Sequence, residues 1–290
     1  MTHLPFKAAV AAYPIDWFES WGEYQAKLTE WVSIAADSGA KLLVFPEYAA
    51  MELASLAGKE IAADLSLQID AVGQLVNQVN QLHESLASEL DCHILSGSMP
   101  VRLSANKVVN RAHFFSPKGC LGYQDKLIMT RFEREQWFIQ SGETLTVFDT
   151  LLGRIGVLIC YDSEFPILGR RLAEQGVEIL LVPSCTDALA GYWRVRIGAM
   201  ARALENQCFV LQAPTVGNAQ WSPAVDENVG AAAIYGPPDV GFPATGVIAE
   251  GGLNQTGWVY ADIDVKKVLA VRESGQVLNF KHWPEQWSHN

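Results

Sequence analysis

The run Ile155–Ile159 is the feature that most restricts how this chain can fold. It is short, apolar and rich in β-branched residues, which is typical of a buried strand. It ends on Cys160, and Pro166 stands where a helix can begin with proline in its first turn. The pattern therefore predicts a thiol on a sharp turn between a buried strand and a helix. A helix N-terminus there would favour the thiolate, and the structural alternative is that Cys160 is one more small core residue.

Strand-like and helix-like segments alternate through the first part of the chain, and strand pairs dominate its middle and end. Buried strands are predicted at Phe6–Tyr13, Leu42–Phe45, Ile179–Val182 and Phe209–Gln212. Helical spacing of apolar residues predicts helices from Trp21 to Ala35, Ile69 to Leu90, Pro166 to about Gln175, and Tyr192 to Asn206. Further strands are expected near His93–Ser98, Arg111–Phe115, Gly119–Tyr123, Ala231–Tyr235, Gly246–Ala249 and Trp258–Asp262. Together these predict an α/β layered architecture with mixed sheets.

No internal repeat, low-complexity tract or linker divides the chain, so residues 1–290 are predicted to form one domain. The tail at 266–290, which contains Trp283 and Trp287, has too few apolar positions to bury itself. Two alternatives are open for it: packing on a partner subunit and packing on its own domain.

Composition narrows the classes of partner. The chain is 49% hydrophobic and 18% charged, which is typical of a globular protein. Its net charge is -11, it has 21 Lys and Arg residues and it contains no basic run, so nucleic acid and anionic membrane surfaces are not expected partners.

The five cysteines are odd in number, far apart and in no CxxC pair, so neither a disulfide framework nor a structural zinc site is expected. A reducing cytoplasm is the natural setting for them. The segment Met1–Lys7 lacks the pattern of a signal peptide, and no apolar run is long enough to span a bilayer.

Three polar residues follow predicted strands at their carboxyl ends, where open α/β sheets place ligand sites: Glu47, Lys126 and Cys160. A thiol is a weak nucleophile until a base takes its proton, and a glutamate can be that base if burial raises its pKa. A lysine supplies fixed positive charge where an oxyanion develops. Taken singly, Glu47 could equally be a helix-start glutamate and Lys126 a solvated surface lysine.

Three segments resemble the catalytic motifs of the nitrilase superfamily, the carbon–nitrogen hydrolases, and they occur in the family's order. They are Phe45–Tyr48, Tyr123–Lys126 and Leu158–Pro166. Supporting similarities lie at Gly156, Leu181–Ser184, Arg202–Asn206 and Pro243–Gly251. The resemblance extends over about residues 6–265.

The resemblance implies a four-layer α-β-β-α sandwich of the nitrilase type, and it implies a homodimer or higher homo-oligomer paired across a helical interface. It also implies a catalytic set of Glu47, Lys126 and Cys160 that needs no metal and no cofactor. A second glutamate commonly follows the lysine. Glu133 and Glu135 compete for that place, and the spacing to Gly142 favours Glu135, which would orient Lys126 or the substrate.

The implied reaction is hydrolysis of a non-peptide carbon–nitrogen bond in a small amide or N-carbamoyl substrate, through a cysteine thioester. Tyr161 in place of tryptophan after the cysteine favours amidase-type members over true nitrilases, whereas many family amidases carry arginine where Glu164 stands. The candidate substrate-binding residues flank the strand ends or follow the lysine loop, and they are Tyr48, Arg131, Trp137, Tyr161, Glu164, Cys185, Thr186, Asp187 and Tyr192. Arg131 could bind a substrate carboxylate or simply pair with Glu135.

Other functions fit parts of the pattern. A nitrilase acting on a nitrile and a non-catalytic family relative are the nearest alternatives. A TIM-barrel glycosidase would suit the strand–helix alternation and the carboxylates, but it gives Cys160 and Lys126 no task. A papain-like Cys–His pair using His93 or His113 is compatible with the spacing, although the residues around Cys160 do not resemble that family.

Overall fold

The fold was determined as a computed structural model, which describes residues 4–288. Within that range it contains fourteen strands, all joined in one sheet network. The strands are β1 Phe6–Pro14, β2 Ala40–Val44, β3 His93–Leu95, β4 Met99–Ser104, β5 Lys107–Ser116, β6 Gly119–Asp125, β7 Val147–Thr150, β8 Gly153–Val157, β9 Ile179–Ser184, β10 Phe209–Asn218, β11 Glu227–Asn228, β12 Ala233–Tyr235, β13 Val247–Glu250 and β14 Gly257–Ile263.

The main path through the network is β4-β5-β3-β2-β1-β10-β9-β8-β7. Strands β6 and β14 extend its first half at β5 and β1, and β12 and β13 extend its second half from β10. The two halves meet where β1 and β10 pair in parallel, and only Tyr13–Thr215 and Pro14–Val216 are in register there. So short a junction allows the halves to form two separate layers.

Alternation along β1 places its side chains in two different cores. Ala8, Val10 and Ala12 face a core shared with β8, β9 and β10, whereas Ala9, Ala11 and Tyr13 face a second core. Because successive side chains of a strand point to opposite faces, the first core lies between the two sheets and the second lies outside the first sheet.

Eight α-helices form the outer layers in the described range: α1 Trp21–Asp37, α2 Lys59–Ala62, α3 Leu67–Gly73, α4 Val76–Glu89, α5 Pro166–Glu174, α6 Leu189–Asn206, α7 Val265–Ser274 and α8 Asn279–His282. Helices α1, α3 and α4 supply apolar side chains to the core outside the first sheet. Helices α5, α6 and α7 pack against the second half. The layers therefore run α-β-β-α, and the predicted four-layer sandwich is confirmed.

Local signals explain several boundaries. Ser20 caps α1 by accepting a hydrogen bond from the Glu23 backbone N–H at 3.4 Å, and Gly39, with φ of +84°, follows its end. Pro166 is the first residue of α5, as the sequence predicts.

Two predicted elements differ from the structure. The helix expected from Ile69 to Leu90 is two helices, α3 and α4, separated by Gln74 and Leu75, because an apolar stripe can continue across a break that keeps both pieces on the same core. The strand expected near His93–Ser98 ends at Leu95.

The C-terminal tail, through Ser288, packs on its own chain. The ring of Phe280 lies between two guanidinium groups, 4.9 Å from that of Arg170 and 4.3 Å from that of Arg272. The Gln207 amide also donates a hydrogen bond to the Val277 carbonyl at 2.9 Å. These contacts are made within the chain, and packing of the tail on a partner subunit stays a prediction.

Candidate active site

Cys160 occupies the first position of a 3₁₀ turn, Cys160–Glu164, three residues after the end of β8. Its φ is +50°, a conformation uncommon outside glycine. The turn is held by Ser163, whose hydroxyl donates to the Cys160 carbonyl at 2.6 Å. The Cys160 Sγ lies 3.6 Å from the carbonyl oxygen of Cys185. A backbone strained at one residue and fixed by its neighbours is a common way to present a reactive side chain.

Glu47 lies beyond the end of β2 and is 1% exposed. Its Oε1 accepts hydrogen bonds from Lys126 Nζ at 2.8 Å and from Asn110 Nδ2 at 2.9 Å. Its Oε2 accepts from the backbone N–H of Cys185 at 3.0 Å. Three donors from three different segments therefore fix this carboxylate, which lines one cavity together with Cys160.

Lys126 directly follows β6 and is also 1% exposed. Its Nζ bridges two carboxylates, Glu47 Oε1 at 2.8 Å and Glu133 Oε2 at 2.6 Å. Its backbone is fixed as well, because its N–H donates to the Asn110 carbonyl at 2.9 Å. The predicted Glu47, Lys126 and Cys160 thus meet at one place.

The second glutamate beside Lys126 is Glu133, which corrects the choice of Glu135. Besides Lys126, Glu133 accepts hydrogen bonds from the Tyr48 hydroxyl at 2.7 Å and from the Thr130 N–H and hydroxyl, both at 2.8 Å. Glu135 points away, with its side chain 55% exposed and bound to Arg131 Nε at 2.8 Å. Both glutamates lie in the five-residue π turn Glu133–Trp137, two positions apart, and of the two only Glu133 is buried.

Burial and charge set the pKa values of the ionisable groups in the cluster. Burial raises the pKa of Glu47 above its ordinary value, against the lowering effect of Lys126. Burial would raise that of Glu133 as well, but the charge of Lys126 and the hydrogen bonds from Lys126, Tyr48 and Thr130 lower its pKa. Burial works against the charge on Lys126, yet the two carboxylates raise its pKa well above 10.5. Lys126 is therefore a fixed cation.

The surroundings of Cys160 oppose ionisation of its thiol. Burial first, and then the negative charge of Glu47, raise the pKa of Cys160 well above its ordinary value. The expectation that a helix N-terminus favours the thiolate is therefore wrong, because the turn is a five-residue 3₁₀ segment and burial dominates. The site therefore brings together a thiol and a carboxyl group, each with a raised pKa.

A cavity of about 540 Å³ opens onto these groups. Its walls include Glu47, Lys126, Cys160 and every predicted substrate-binding residue except Tyr192. Tyr192 is buried, and its hydroxyl accepts a hydrogen bond from Arg196 at 2.9 Å. No histidine of residues 4–288 lines this cavity, which removes the structural basis for a papain-like pair.

The predicted wall residues differ in how firmly they are held. Tyr48 and Trp137 are buried with ring centroids 4.8 Å apart. Arg131 is 87% exposed and pairs with Glu135, the structural alternative named for it. Glu164 lies 3.8 Å from Arg194 in a loose ion pair.

Several residues of the site carried no sequence signal. Asn110 reaches Glu47 from the middle of β5, where it resembles any polar residue of a strand. The other unpredicted wall residues come from the lysine loop, from α6, and from β11 and the segment before it: Thr130, Phe132, Glu133, Gly191, Arg194, Val195, Pro223, Ala224, Asp226 and Glu227. Glu133 alone was weighed as a candidate.

Residues 4–288 contain no group of three or more His, Cys, Asp or Glu side chains placed to hold a metal ion. None of the helices described in the structure is both long and apolar enough to cross a membrane.

The chain is similar in sequence to known hydrolases and amidases. The family model described as carbon-nitrogen hydrolase matches residues 7–273. The probable hydrolase YhcX of Bacillus subtilis (strain 168) is 32% identical over 277 residues, which are 96% of this chain and 53% of that protein. The chain thus spans about half the length of that relative. The omega-amidase NIT2 of Bos taurus is 29% identical over 220 residues, 73% of this chain and 76% of that one.

Solved structures share the fold. A carbon-nitrogen hydrolase from Helicobacter pylori G27 matches with a TM-score of 0.76 and 17% identity, covering 99% of this chain and 96% of the other. A mutant of the amidase from Nesterenkonia sp. AN1 matches with a TM-score of 0.65 and 20% identity, covering 99% and 97%. In that mutant the acetamide moiety of fluoroacetamide is covalently added at the active-site cysteine.

Proposed function

The chain belongs to the carbon–nitrogen hydrolase family, and we propose that it cleaves a small amide or N-carbamoyl substrate through a thioester on Cys160. The acid is released together with ammonia or an amine. The observation that carries the proposal is the convergence of Glu47, Lys126 and Cys160 on one cavity, with Lys126 Nζ 2.8 Å from Glu47 Oε1.

In the first half-reaction Glu47 acts as general base. Because the resting thiol is protonated, Glu47 takes its proton as the sulfur attacks the amide carbonyl carbon. The carbonyl oxygen becomes an oxyanion, which Lys126 Nζ and the backbone N–H of Tyr161 stabilise. Glu47 then returns the proton to the leaving nitrogen, the carbon–nitrogen bond breaks and the thioester remains.

In the second half-reaction Glu47 takes a proton from water, and the resulting hydroxide attacks the thioester carbonyl carbon. The carbon–sulfur bond breaks, and the sulfur recovers a proton through Glu47. The carboxylate of Glu133 fixes Lys126 throughout, because its pKa is lowered and it stays ionised. The raised pKa of Glu47 suits a group that must both accept and donate a proton.

The cavity supports a small substrate. Its volume of about 540 Å³ lies in the lower part of the range usual for small-molecule sites, and its walls mix aromatic with charged side chains. The omega-amidase relative favours an amide over a nitrile.

The test is ammonia release from a panel of small amides, ω-amides, N-carbamoyl amines and nitriles, with amine release measured in parallel. Native protein is compared with Cys160→Ala and with Cys185→Ala, which removes the other thiol of the same cavity. We expect turnover by the native chain and by Cys185→Ala, because Cys185 contacts Glu47 through its backbone N–H. Cys160→Ala should be inactive.

Turnover by Cys160→Ala at the native rate would refute the thioester mechanism. Turnover of nitriles alone would move the assignment to the nitrilase alternative, and no turnover of any substrate by the folded native chain would favour a non-catalytic relative.

We also propose a homodimer formed through α6. Four apolar side chains lie exposed along this helix at spacings that return to one side: Leu189, Trp193, Ile197 and Leu204, each 45–62% exposed. An apolar stripe of this kind suits a second copy of the same helix, as the family resemblance implies. Sedimentation should give twice the chain mass for the native protein and a monomer for Ile197→Lys; a native monomer would refute the proposal.

Two further assignments complete the proposal. The single-domain organisation is supported by the continuous sheet network and by the tail that packs on its own chain. A reducing, cytoplasmic setting is supported by the five free cysteines, since oxidation of the Cys160 thiol would stop the proposed reaction.

A further inference from the structure

The carboxylate of Asp162 lies between the backbone segments that carry Lys126 and Cys160. Its Oδ1 accepts a hydrogen bond from the Ile128 N–H at 2.7 Å, and both of its oxygens lie near the Leu127 N–H, at 3.2 and 3.1 Å. Its Oδ2 also accepts from the Ile159 N–H at 3.3 Å. Two of these donors directly follow Lys126 in sequence, and the third directly precedes Cys160.

These contacts are buried, and Asp162 is the hydrogen-bond acceptor in all of them. Asp162 is 1% exposed, and each partner is a backbone N–H donor, so both carboxylate oxygens act as acceptors. Buried N–H groups need acceptors, and these two oxygens supply them, although burial raises the pKa of the Asp162 carboxyl to about 7. Asp162 therefore joins the lysine loop to the cysteine turn without contacting the bridged Nζ of Lys126 or the thiol.

We propose that Asp162 is a positioning residue: it fixes the backbone of Lys126 relative to that of Cys160, and so sets the place of the oxyanion-stabilising ammonium relative to the attacking sulfur. The two catalytic side chains come from different strands, β6 and β8. A bridge between the two strand ends is thus a direct means of holding their spacing, and a misplacement of about 1 Å can cost about 100-fold in rate.

A purely structural role would make a different prediction. If Asp162 only caps its turn, its loss should lower stability without a specific effect on catalysis. Glu52 offers the matched control, because it is another fully buried carboxylate. It accepts hydrogen bonds from the Tyr13 hydroxyl at 2.7 Å and from Lys27 Nζ at 2.7 Å, and it does not line the cavity.

The experiment compares Asp162→Asn with Glu52→Gln in the full chain, using the best amide of the panel. In Asp162→Asn one carboxylate oxygen becomes an NH₂ group, a donor that faces backbone N–H donors, so part of the bridge is lost. We expect kcat to fall about 100-fold with KM changed less than about threefold. Glu52→Gln should lose stability and keep both constants within about threefold.

The kinetic comparison rests on the proposed function. A second measurement, the rate of cysteine alkylation, does not depend on it. Alkylation of Cys160 by iodoacetamide, followed by peptide mass spectrometry, reports whether thiol and base remain aligned. We expect its rate constant to fall about tenfold in Asp162→Asn and to stay at the native value in Glu52→Gln. If the native chain hydrolyses nothing, the proposed function fails while the alkylation rates still decide the role of Asp162.

Several results would overturn the inference: unchanged kcat, an unchanged alkylation rate, or a rise in KM that accounts for the whole kinetic loss. Should Asp162→Asn not fold, Asp162→Ser, whose hydroxyl can still accept from one N–H, takes its place. If neither variant folds while Glu52→Gln does, Asp162 is a structural residue and the inference is wrong.

Discussion

Lys126 Nζ lies 2.6 Å from Glu133 Oε2, the shorter of its two contacts with carboxylates. The same Glu133 side chain accepts hydrogen bonds from Tyr48 and Thr130, so it is fixed independently of the lysine. In the proposed mechanism Glu133 holds the ammonium in place, while the other carboxylate, Glu47, exchanges protons. Two roles that need opposite pKa shifts are divided between two glutamates.

The first prediction separates Glu133 from Glu135. Glu133→Gln keeps the shape of the side chain but removes the charge that fixes Lys126 and leaves the ammonium with one carboxylate. We expect kcat to fall about 100- to 1000-fold, the range seen when one oxyanion donor is lost. Glu135→Gln is the matched control, because it removes only an exposed pair with Arg131, and kcat should stay within about twofold.

Steady-state kinetics on the best amide substrate measures both variants. A large loss in Glu135→Gln with an active Glu133→Gln would show that the side chains exchange roles during turnover, and would contradict the assignment.

The glutamate that contacts Lys126 could not be identified from the sequence alone. Their distances from Gly142 differ by two residues, and the family spacing favoured Glu135. In the structure both glutamates lie in the π turn Glu133–Trp137, which Phe138 follows with a φ of +59°, and Glu133 is the buried one. The inward-facing residue of such a turn is set by its tertiary contacts, here with Tyr48 and Lys126. Residue spacing in the sequence does not predict such contacts.

Other features of the site were predictable because each had a local signal. Glu47, Lys126 and Cys160 follow strands in family motifs. Apolar periodicity predicts the α/β layering, and the four layers are what the family resemblance implies. Asn110 had no such signal, and Asp162 lies in a motif that gives no sign of its contacts, since both residues act through contacts with segments distant in sequence.

The second prediction concerns the bridging charge. Lys126→Met leaves Glu47 and Glu133 buried without a cation, and breaking a buried pair in this way costs about 3–5 kcal/mol of unfolding free energy. Without the cation both carboxyls should have raised pKa values, so the stability gap to the native chain should narrow as the pH falls and they are protonated. Urea unfolding at pH 7 and pH 5 measures this.

Lys27→Met is the control for the bridging lysine. Lys27 also joins two carboxylates, Asp16 and Glu52, both at 2.7 Å, but outside the cavity. Both variants should be less stable than the native chain, and only Lys126→Met should lose turnover. Loss of turnover in both would indicate a general effect of destabilisation.

The third prediction tests the packing of α6 under the nucleophile. A Cβ added at Gly198 would lie 3.0 Å from the Ser163 carbonyl oxygen and 3.3 Å from its carbon, within the turn that carries Cys160. The turn must shift to make room, so Gly198→Ala should lower kcat about tenfold or more with little change in KM. Gly22→Ala, where the added Cβ would meet only Ser20 Oγ at 3.9 Å, should keep native kinetics. Equal kinetics in both variants would show that the turn tolerates the shift.

The fourth prediction concerns acid stability and starts from His83, a buried residue of α4. Its Nδ1 donates to the Val79 carbonyl at 2.9 Å, its ring stacks on Phe115, and burial lowers its pKa to about 4. The folded-state pKa is below the unfolded value of about 6.5, so the unfolded chain binds the proton more readily. The contribution of neutral His83 to the free energy of unfolding is therefore fully present above about pH 6.5 and is lost as the pH falls towards about 4.

When the pH is lowered from 7 to 5, protonation of this histidine alone should reduce the free energy of unfolding by about 2 kcal/mol. His113, whose pKa burial also lowers to about 4, acts in the same direction. Urea unfolding of His83→Phe should show a pH dependence smaller by about that amount, because the phenyl ring cannot take up a proton. His282→Gln, which changes an exposed histidine, should follow the native curve. Parallel curves for His83→Phe and the native chain would mean that His83 is protonated equally in the folded and unfolded states.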